Sequence, residues 1–298
     1  MKRSTIIILP LFLLLLSGCQ EKQQTTSERP KAPIAGIKLS DIQPEFGIQQ
    51  PTEMTIRVFT YEIPARNSMF IEELYDELSK HYLKFPDIRV FEENGFEAGF
   101  GIQKTWSVLA NKLYMASAKS IITNDLLFID TSSNDIAIDS TRQGQIFFLH
   151  KRSNQPELIK LPAGQLVWEI NARALTERKG VGLVKIEAAH LKDVLPTIKK
   201  IPGYEQSGQT TFNDISIKLN MSPGEFVVIG PKIEDNDQIR LSNLYFEREG
   251  NFVSPITDDD QKLIDNGMVP TEASQRFKVE KNIPLLRLYI FACMDVKN

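Results

Sequence analysis

The sequence predicts an α+β protein: a small N-terminal α/β module over residues 53–119, then a predominantly antiparallel β region over residues 120–298. Three observations carry this. Between residues 53 and 119, apolar residues recur twice at helical spacing, each time after a strand-like stretch. After Ser120, short apolar runs are separated by turn residues at roughly ten-residue spacing, the pattern of an antiparallel sheet. Late in the chain, strict alternation on one side of a Pro-Gly turn spells out a strand.

Residues 1–18 have the three parts of a secretory signal: Lys2 and Arg3, an apolar stretch from Ile6 to Leu16, then Ser17 and Gly18. The apolar stretch is well short of the roughly 20 residues that span a bilayer. Leu16-Ser17-Gly18-Cys19 resembles the lipobox of bacterial lipoproteins, a resemblance confined to residues 1–19. It implies cleavage before Cys19 and lipidation, as a thioether, of that cysteine. Several acyl chains would hold the protein at a membrane surface, since each buried methylene contributes about 0.8 kcal/mol. Gln20, where an aspartate favours inner-membrane retention in enterobacteria, favours the outer membrane by the same analogy. Residues 19–52, rich in Gln, Thr, Ser, Lys and Pro, read as the lipidated cysteine and a flexible tether.

The module opens with Met54, Ile56 and Val58 on one parity and Phe59, Tyr61 and Ile63 on the other, which predicts a bulge or a strand apolar on both faces. Phe70, Ile71, Leu74, Leu78 and Tyr82 predict a helix capped by Asn67-Ser68 and stopped by Pro86. Ile88–Phe91 reads as a short strand, and Trp106, Leu109, Ala110 and Leu113 as a second helix.

In the β region the runs are Leu126–Ile129, Ile136–Ile138, Ile146–Leu149, Leu158–Leu161, Leu166–Ile170 and Val181–Ile186. His190–Lys200 reads as a short helix weakened by Pro196. Ile215, Ile217, Leu219 and Met221 alternate, Ser222-Pro223-Gly224-Glu225 suits a turn, and Phe226–Ile229 returns. With Ile239–Phe246 as a third strand, this predicts a meander. Pro223–Ile229 resembles strands in secretin-type outer-membrane proteins, over too few residues to assign a family but enough to motivate a test for oligomers. Leu285–Met294, apolar at nearly every position, predicts a strand buried on both faces.

Cleavage leaves 280 residues and removes Lys2 and Arg3, so the net charge of −3 becomes −5, with 33 basic against 38 acidic residues. A mildly acidic chain without a basic block argues against nucleic acid as a partner. Once Cys19 is acylated, Cys293 is the remaining thiol, so no intramolecular disulfide is available. Cys293 reads as a buried structural residue, because no charged group flanks it to lower its pKa.

Local catalytic signatures are missing. His81 on the first helix, His150 at a strand end and His190 near a helix start are scattered, and neither His-Glu-x-x-His nor Cys-x-x-Cys occurs. Gly-x-Ser-x-Gly and Ser-x-x-Lys are also absent. Glu72-Glu73, Glu92-Glu93 and Asp258-Asp259-Asp260 are the carboxylate clusters a glycosidase would draw on, each with a structural explanation. Glu234-Asp235-Asn236-Asp237 and Asp130–Asp135 offer oxygen ligands but lack the spacing of a calcium loop, and read as hairpin turns. Gly180-Val181-Gly182 lacks the third glycine of a dinucleotide fingerprint and runs into a strand. Gly95–Gly101 precedes the second helix, but Lys104-Thr105 comes too soon after Gly101 for a nucleotide-triphosphate loop, so neither reads as a phosphate loop. Gly95–Gly101 reads as a packed or partner-facing loop, because Phe96 and Phe100 would otherwise be exposed.

No catalytic residue, cofactor or metal site is therefore predicted. The expectation is a membrane-anchored, non-enzymatic interaction or assembly component of a cell-envelope complex. It would bind a protein or cell-wall partner, with sheet edges available for strand addition. The alternative is a lipid-tethered glycan hydrolase using paired carboxylates, and a solute-binding lipoprotein ranks third.

Overall fold

The computed structural model describes residues 51–142, 144–152, 155–193, 208–234, 238–255 and 277–298. Cys19 and the tether up to residue 50 lie outside them. In chain order the elements are β1 (Glu53–Pro64), α1 (Met69–Asp76), α2 (Ile88–Glu93), β2 (Phe96–Gly101), α3 (Trp106–Met115), β3 (Lys119–Ile129), β4 (Ser132–Thr141), β5 (Gln145–His150), β6 (Pro156–Leu161), β7 (Gly164–Ala174), β8 (Gly182–Lys192), β9 (Gln209–Met221), β10 (Phe226–Pro231), α4 (Leu241–Phe246), β11 (Glu247–Pro255) and β12 (Phe277–Lys297). The described part is mostly antiparallel β with few helices, as composition and spacing predict.

A six-stranded sheet runs β2-β10-β12-β1-β3, with β11 also on β12, and a four-stranded sheet runs β4-β7-β8-β9. A separate hairpin joins β5 and β6. Two apolar layers hold these together. Met54, Ile56 and Val58 of β1 and Tyr289, Phe291 and Cys293 of β12 meet Trp168, Ile170, Val184, Ile186 and Ile217 of the four-stranded sheet. On the opposite face of the six-stranded sheet, Ile63, Leu288 and Ile290 pack under Ile71 and Leu74 of α1 and Leu109 and Leu113 of α3. This explains the two parities of β1, which is apolar on both faces because each face has its own layer. β12 is likewise buried on both faces from Leu285 to Cys293, where a fully buried side chain such as Phe291 contributes about 1.5–3 kcal/mol.

Several local expectations are corrected. α1 ends at Asp76, far short of Pro86. Ser79 instead trades backbone hydrogen bonds with Phe100 at 2.9 Å each, drawing the chain out along the edge of β2. Ser68 occupies the N-cap position without a side-chain cap bond, and Asn67 Nδ2 donates to Ala116 O at 2.9 Å. Ile88–Phe91 is helical: Asp87 caps α2 by accepting from Arg89 N and Val90 N at 3.0 and 3.3 Å. Gly95–Gly101 is largely strand β2, with Phe96 and Phe100 buried. Its glycines serve close packing, since a Cβ on Gly99 would lie 2.5 Å from Leu78 Cβ and one on Gly101 2.2 Å from the Phe226 ring.

The expected meander is absent. β9 pairs with β8, whereas β10 pairs with β2 and β12, so Ser222–Glu225 carries the chain from one sheet to the other. Ile239–Phe246 contributes α4, whose Leu241, Tyr245 and Phe246 are buried against Trp168 and Phe96. Asp130–Asp135 is not a hairpin turn either. β3 pairs with β1 and β4 with β7, and Asp130, at φ 54°, turns the chain between sheets. Residues 190–192 of the expected helix belong to β8; residues 194–200 lie outside the described residues, as do Asp235–Asp237 and Asp258–Asp260.

Candidate functional site

The carboxylates Glu92 and Glu93 lie on the last turn of α2, and the fold brings distant groups to them. Asn94 is fully buried; its Nδ2 donates to Val90 O at 2.8 Å and to His150 O at 2.9 Å, and its Oδ1 accepts from His150 N at 2.9 Å. The end of β5 is thereby fixed to α2. Gly95 follows at φ 79°, a left-handed conformation that glycine adopts without a Cβ penalty. Its carbonyl accepts from Lys232 N at 2.9 Å, and Asn94 O accepts from Ser242 N at 3.2 Å. Two residues thus gather α2, β5, the exit of β10 and the start of α4.

Around them lies a cavity of about 350 Å³ lined by Ile88, Arg89, Glu92, Glu93, His150, Lys232, Glu234, Gln238 and Arg240. Its acids are matched by bases. Glu92 is 3.0 Å from Lys80 and 3.9 Å from Lys232; Glu234 is 2.5 Å from Lys232 and 2.9 Å from Arg240; Glu93 is 3.8 Å from His150 Nδ1. Burial would raise the pKa of Glu234, but hydrogen bonds and charge from Lys232 and Arg240 override it and hold the carboxyl below its ordinary range. A general acid in a glycosidase needs the opposite shift. The arrangement is a salt-bridged brace between elements. Among the described residues, no three His, Cys, Asp or Glu side chains come together to hold a metal ion.

Other candidates are dispersed. Glu73 pairs with Lys112 and ties α1 to α3. His81 sits exposed in the turn after α1. His190 is wholly buried on β8, with Nε2 2.8 Å from Thr141 Oγ1. Cys293 is buried on β12, and desolvation pushes its thiol pKa up to about 12.

The remaining candidate is a sheet edge, which motif reading located only in general terms. The outer edges of β2, β9 and β4 are met by other groups. Ser79 meets β2, Lys84 exchanges backbone hydrogen bonds with Lys218 of β9 at 2.9 Å, and Arg287 donates to Ile138 O of β4 at 2.9 Å. β3 pairs with β1 on one side, and among the described residues its other backbone edge has no partner from Lys119 to Phe128. Its Ile122, Leu127 and Ile129 are 46%, 52% and 48% exposed. Long edges are normally protected by charge, proline or a bulge, and β3 has a register shift at Ile121, where Thr60 faces Ile122 but Tyr61 faces Ser120. Here the one acid in mid-strand, Asp125, is neutralised by two hydrogen bonds from Arg57 at 2.6 and 2.8 Å.

No helix among the described residues is long and apolar enough to cross a membrane. No protein-family model matches the chain, and no curated protein matches it. Among solved structures it is similar to the InvG secretin domain of the Salmonella SPI-1 injectisome, with 10% identity, a TM-score of 0.24, and coverage of 84% of this chain and 64% of that one. It is also similar to the PilQ secretin of the V. cholerae type IV competence pilus, with 11% identity, a TM-score of 0.23, and coverage of 83% and 61%. The chain spans less than two thirds of the length of either secretin chain.

Proposed function

We propose that this chain is a lipid-anchored assembly component of the cell envelope, held through Cys19 at a membrane, the outer one favoured, and that it works by binding protein rather than by catalysis. The observation that supports this is the outer edge of β3, which has no backbone partner among the described residues from Ile122 to Phe128 and carries exposed apolar side chains. An extended segment of a partner satisfies the free N–H and C=O groups by adding a strand, and the side chains of β3 supply selectivity. The cavity beside α2 does not favour the hydrolase reading, because Glu234 is held ionised by two cations.

The test is a photo-crosslinking amino acid placed at Thr123 of the full chain in cells, with Lys104 as a control on another exposed surface. Adducts of defined mass at Thr123 and none at Lys104 are expected. Absence of any adduct at Thr123 in folded protein overturns the reading. So does cleavage of peptidoglycan by the purified protein that Glu93→Gln abolishes.

A further inference from the structure

The brace beside α2 leaves one charge of each sign unmatched, four residues apart on a single helix. Glu92 and Glu234 each have a cation at 3.0 Å or closer, from Lys80, Lys232 and Arg240. Arg89 is exposed on the cavity wall and has no side-chain partner among the described residues. Glu93 has only His150 Nδ1, at 3.8 Å, beyond hydrogen-bond reach. Arg89 and Glu93 stand one turn apart on the same face of α2, and both line the cavity. Their order is the unfavourable one. The guanidinium sits in the first turn and the carboxylate in the last, each at the helix end whose partial charge has its own sign. Local arrangements that cost stability are expected where a chain is shaped for function.

We propose that this cavity binds a small zwitterion of the amino-acid type, its carboxylate held by Arg89 and its ammonium by Glu93. A guanidinium takes a carboxylate through two parallel hydrogen bonds, and an ammonium donates to a carboxylate in a charge-assisted one. The formal charges of the wall cancel, Arg89, Lys232 and Arg240 against Glu92, Glu93 and Glu234, so a lone ion of either sign gains little from the site as a whole. His150 Nε2 and Arg240 Nε, on the same wall, are buried without a hydrogen-bond partner, a cost that a polar ligand relieves. The volume of about 350 Å³ lies at the small end of the range for ligand sites, about 300–1,000 Å³. The site is separate from the edge of β3, and the two stand or fall independently.

The test is calorimetric titration of the detergent-solubilised full chain at about pH 6.5, where α-amino groups are charged. Alanine carries both charges. N-acetylalanine lacks the ammonium, alaninamide lacks the carboxylate, and dialanine places the two charges at opposite ends of a peptide. Binding of alanine or dialanine with a Kd of about 1 mM or below is expected, and the tighter of the two tells a free amino acid from a peptide as the source. The two singly charged probes should bind about tenfold more weakly, since each forgoes one charge-assisted contact. Arg89→Ala should erase the preference for the zwitterion over alaninamide, and Glu93→Gln the preference over N-acetylalanine. Far-UV circular dichroism should be unchanged in both, because neither side chain takes part in the contacts of Asn94. N-acetylalanine binding as tightly as the zwitterion overturns the proposal. So does the absence of heat from all four probes up to about 10 mM, or zwitterion binding that neither variant weakens.

Discussion

Arg287 on β12 and Glu62 on β1 stand opposite each other, with Nε donating to Oε1 at 3.3 Å, at the end of an otherwise apolar interface between the two sheets. Arg248 of β11 reaches the same carboxylate at 2.9 Å, so one acid joins three strands. Removing one member of a buried pair leaves an uncompensated charge, at a cost of about 3–5 kcal/mol. Glu62→Ala is expected to lose that much stability in urea unfolding. Glu62→Leu combined with Arg287→Met should lose much less. Equal losses in both would show that the cost is packing rather than charge.

His190 gives stability a pH dependence of known sign. Burial lowers its pKa by disfavouring the imidazolium, and the Asp193 carboxylate only partly offsets this. Thr141 Oγ1 donates to Pro162 O at 3.2 Å, so it accepts from His190 Nε2–H, and the buried Nδ1 has no hydrogen-bond partner among the described residues. The unfolded chain takes up the proton first. Stability is therefore full above about pH 6.5 and falls toward the lower folded pKa by at most about 1.4 kcal/mol per pH unit. Urea midpoints from pH 8 to pH 5 should show this slope, and His190→Gln should flatten it. An unchanged slope in that variant would assign it elsewhere.

Gly95 combines a close contact with a left-handed backbone, so a single methyl group there is doubly unfavourable. A Cβ there would lie 2.1 Å from Ser242 Oγ, and its φ of 79° is already unfavourable for other residues. Gly95→Ala should lower stability by about 1–3 kcal/mol or more. Adding Ser242→Gly should recover the steric part and leave a backbone cost of about 1–2 kcal/mol. Full recovery in the double variant would mean that the backbone conformation carries no strain.

Cys293 should be inert in the native state. In a Cys19→Ser variant, a thiol reagent at pH 8 should label Cys293 only as fast as the protein opens, because the thiol is buried with a pKa of about 12. Rapid labelling without denaturant would place the Leu285–Met294 stretch nearer the surface.

What was legible in the sequence followed burial. The run from Leu285 to Met294 announced a strand covered on both sides, and the alternation of Ile215, Ile217, Leu219 and Met221 announced one covered on a single side. That same contrast holds the signal that was missed. Phe226–Ile229 is continuously apolar, unlike β9, because β10 lies inside a sheet with packed layers on both faces. Two strands of such different pattern do not belong to one hairpin. Leu241, Leu244 and Tyr245 had helical spacing inside a stretch apolar enough to pass for a strand. At the cavity, Glu92-Glu93 was visible as a pair of acids. Lys232, Glu234, Arg240 and His150 were not, since they reach it only through tertiary packing around Asn94 and Gly95. The edge of β3, unpartnered among the described residues, depends on which strands pair where, and no local pattern reports that.

β12 comes last in chain order among the described strands, yet it lies between β1 and β10 and contributes to both apolar layers. β1 pairs early with β3 on one side, but its β12 side is completed only after the other described elements have been made. Pairing so distant in sequence is slow, and the unfinished chain keeps its aromatic side chains uncovered in the meantime. Loss of β12 would leave the two layers with no common wall.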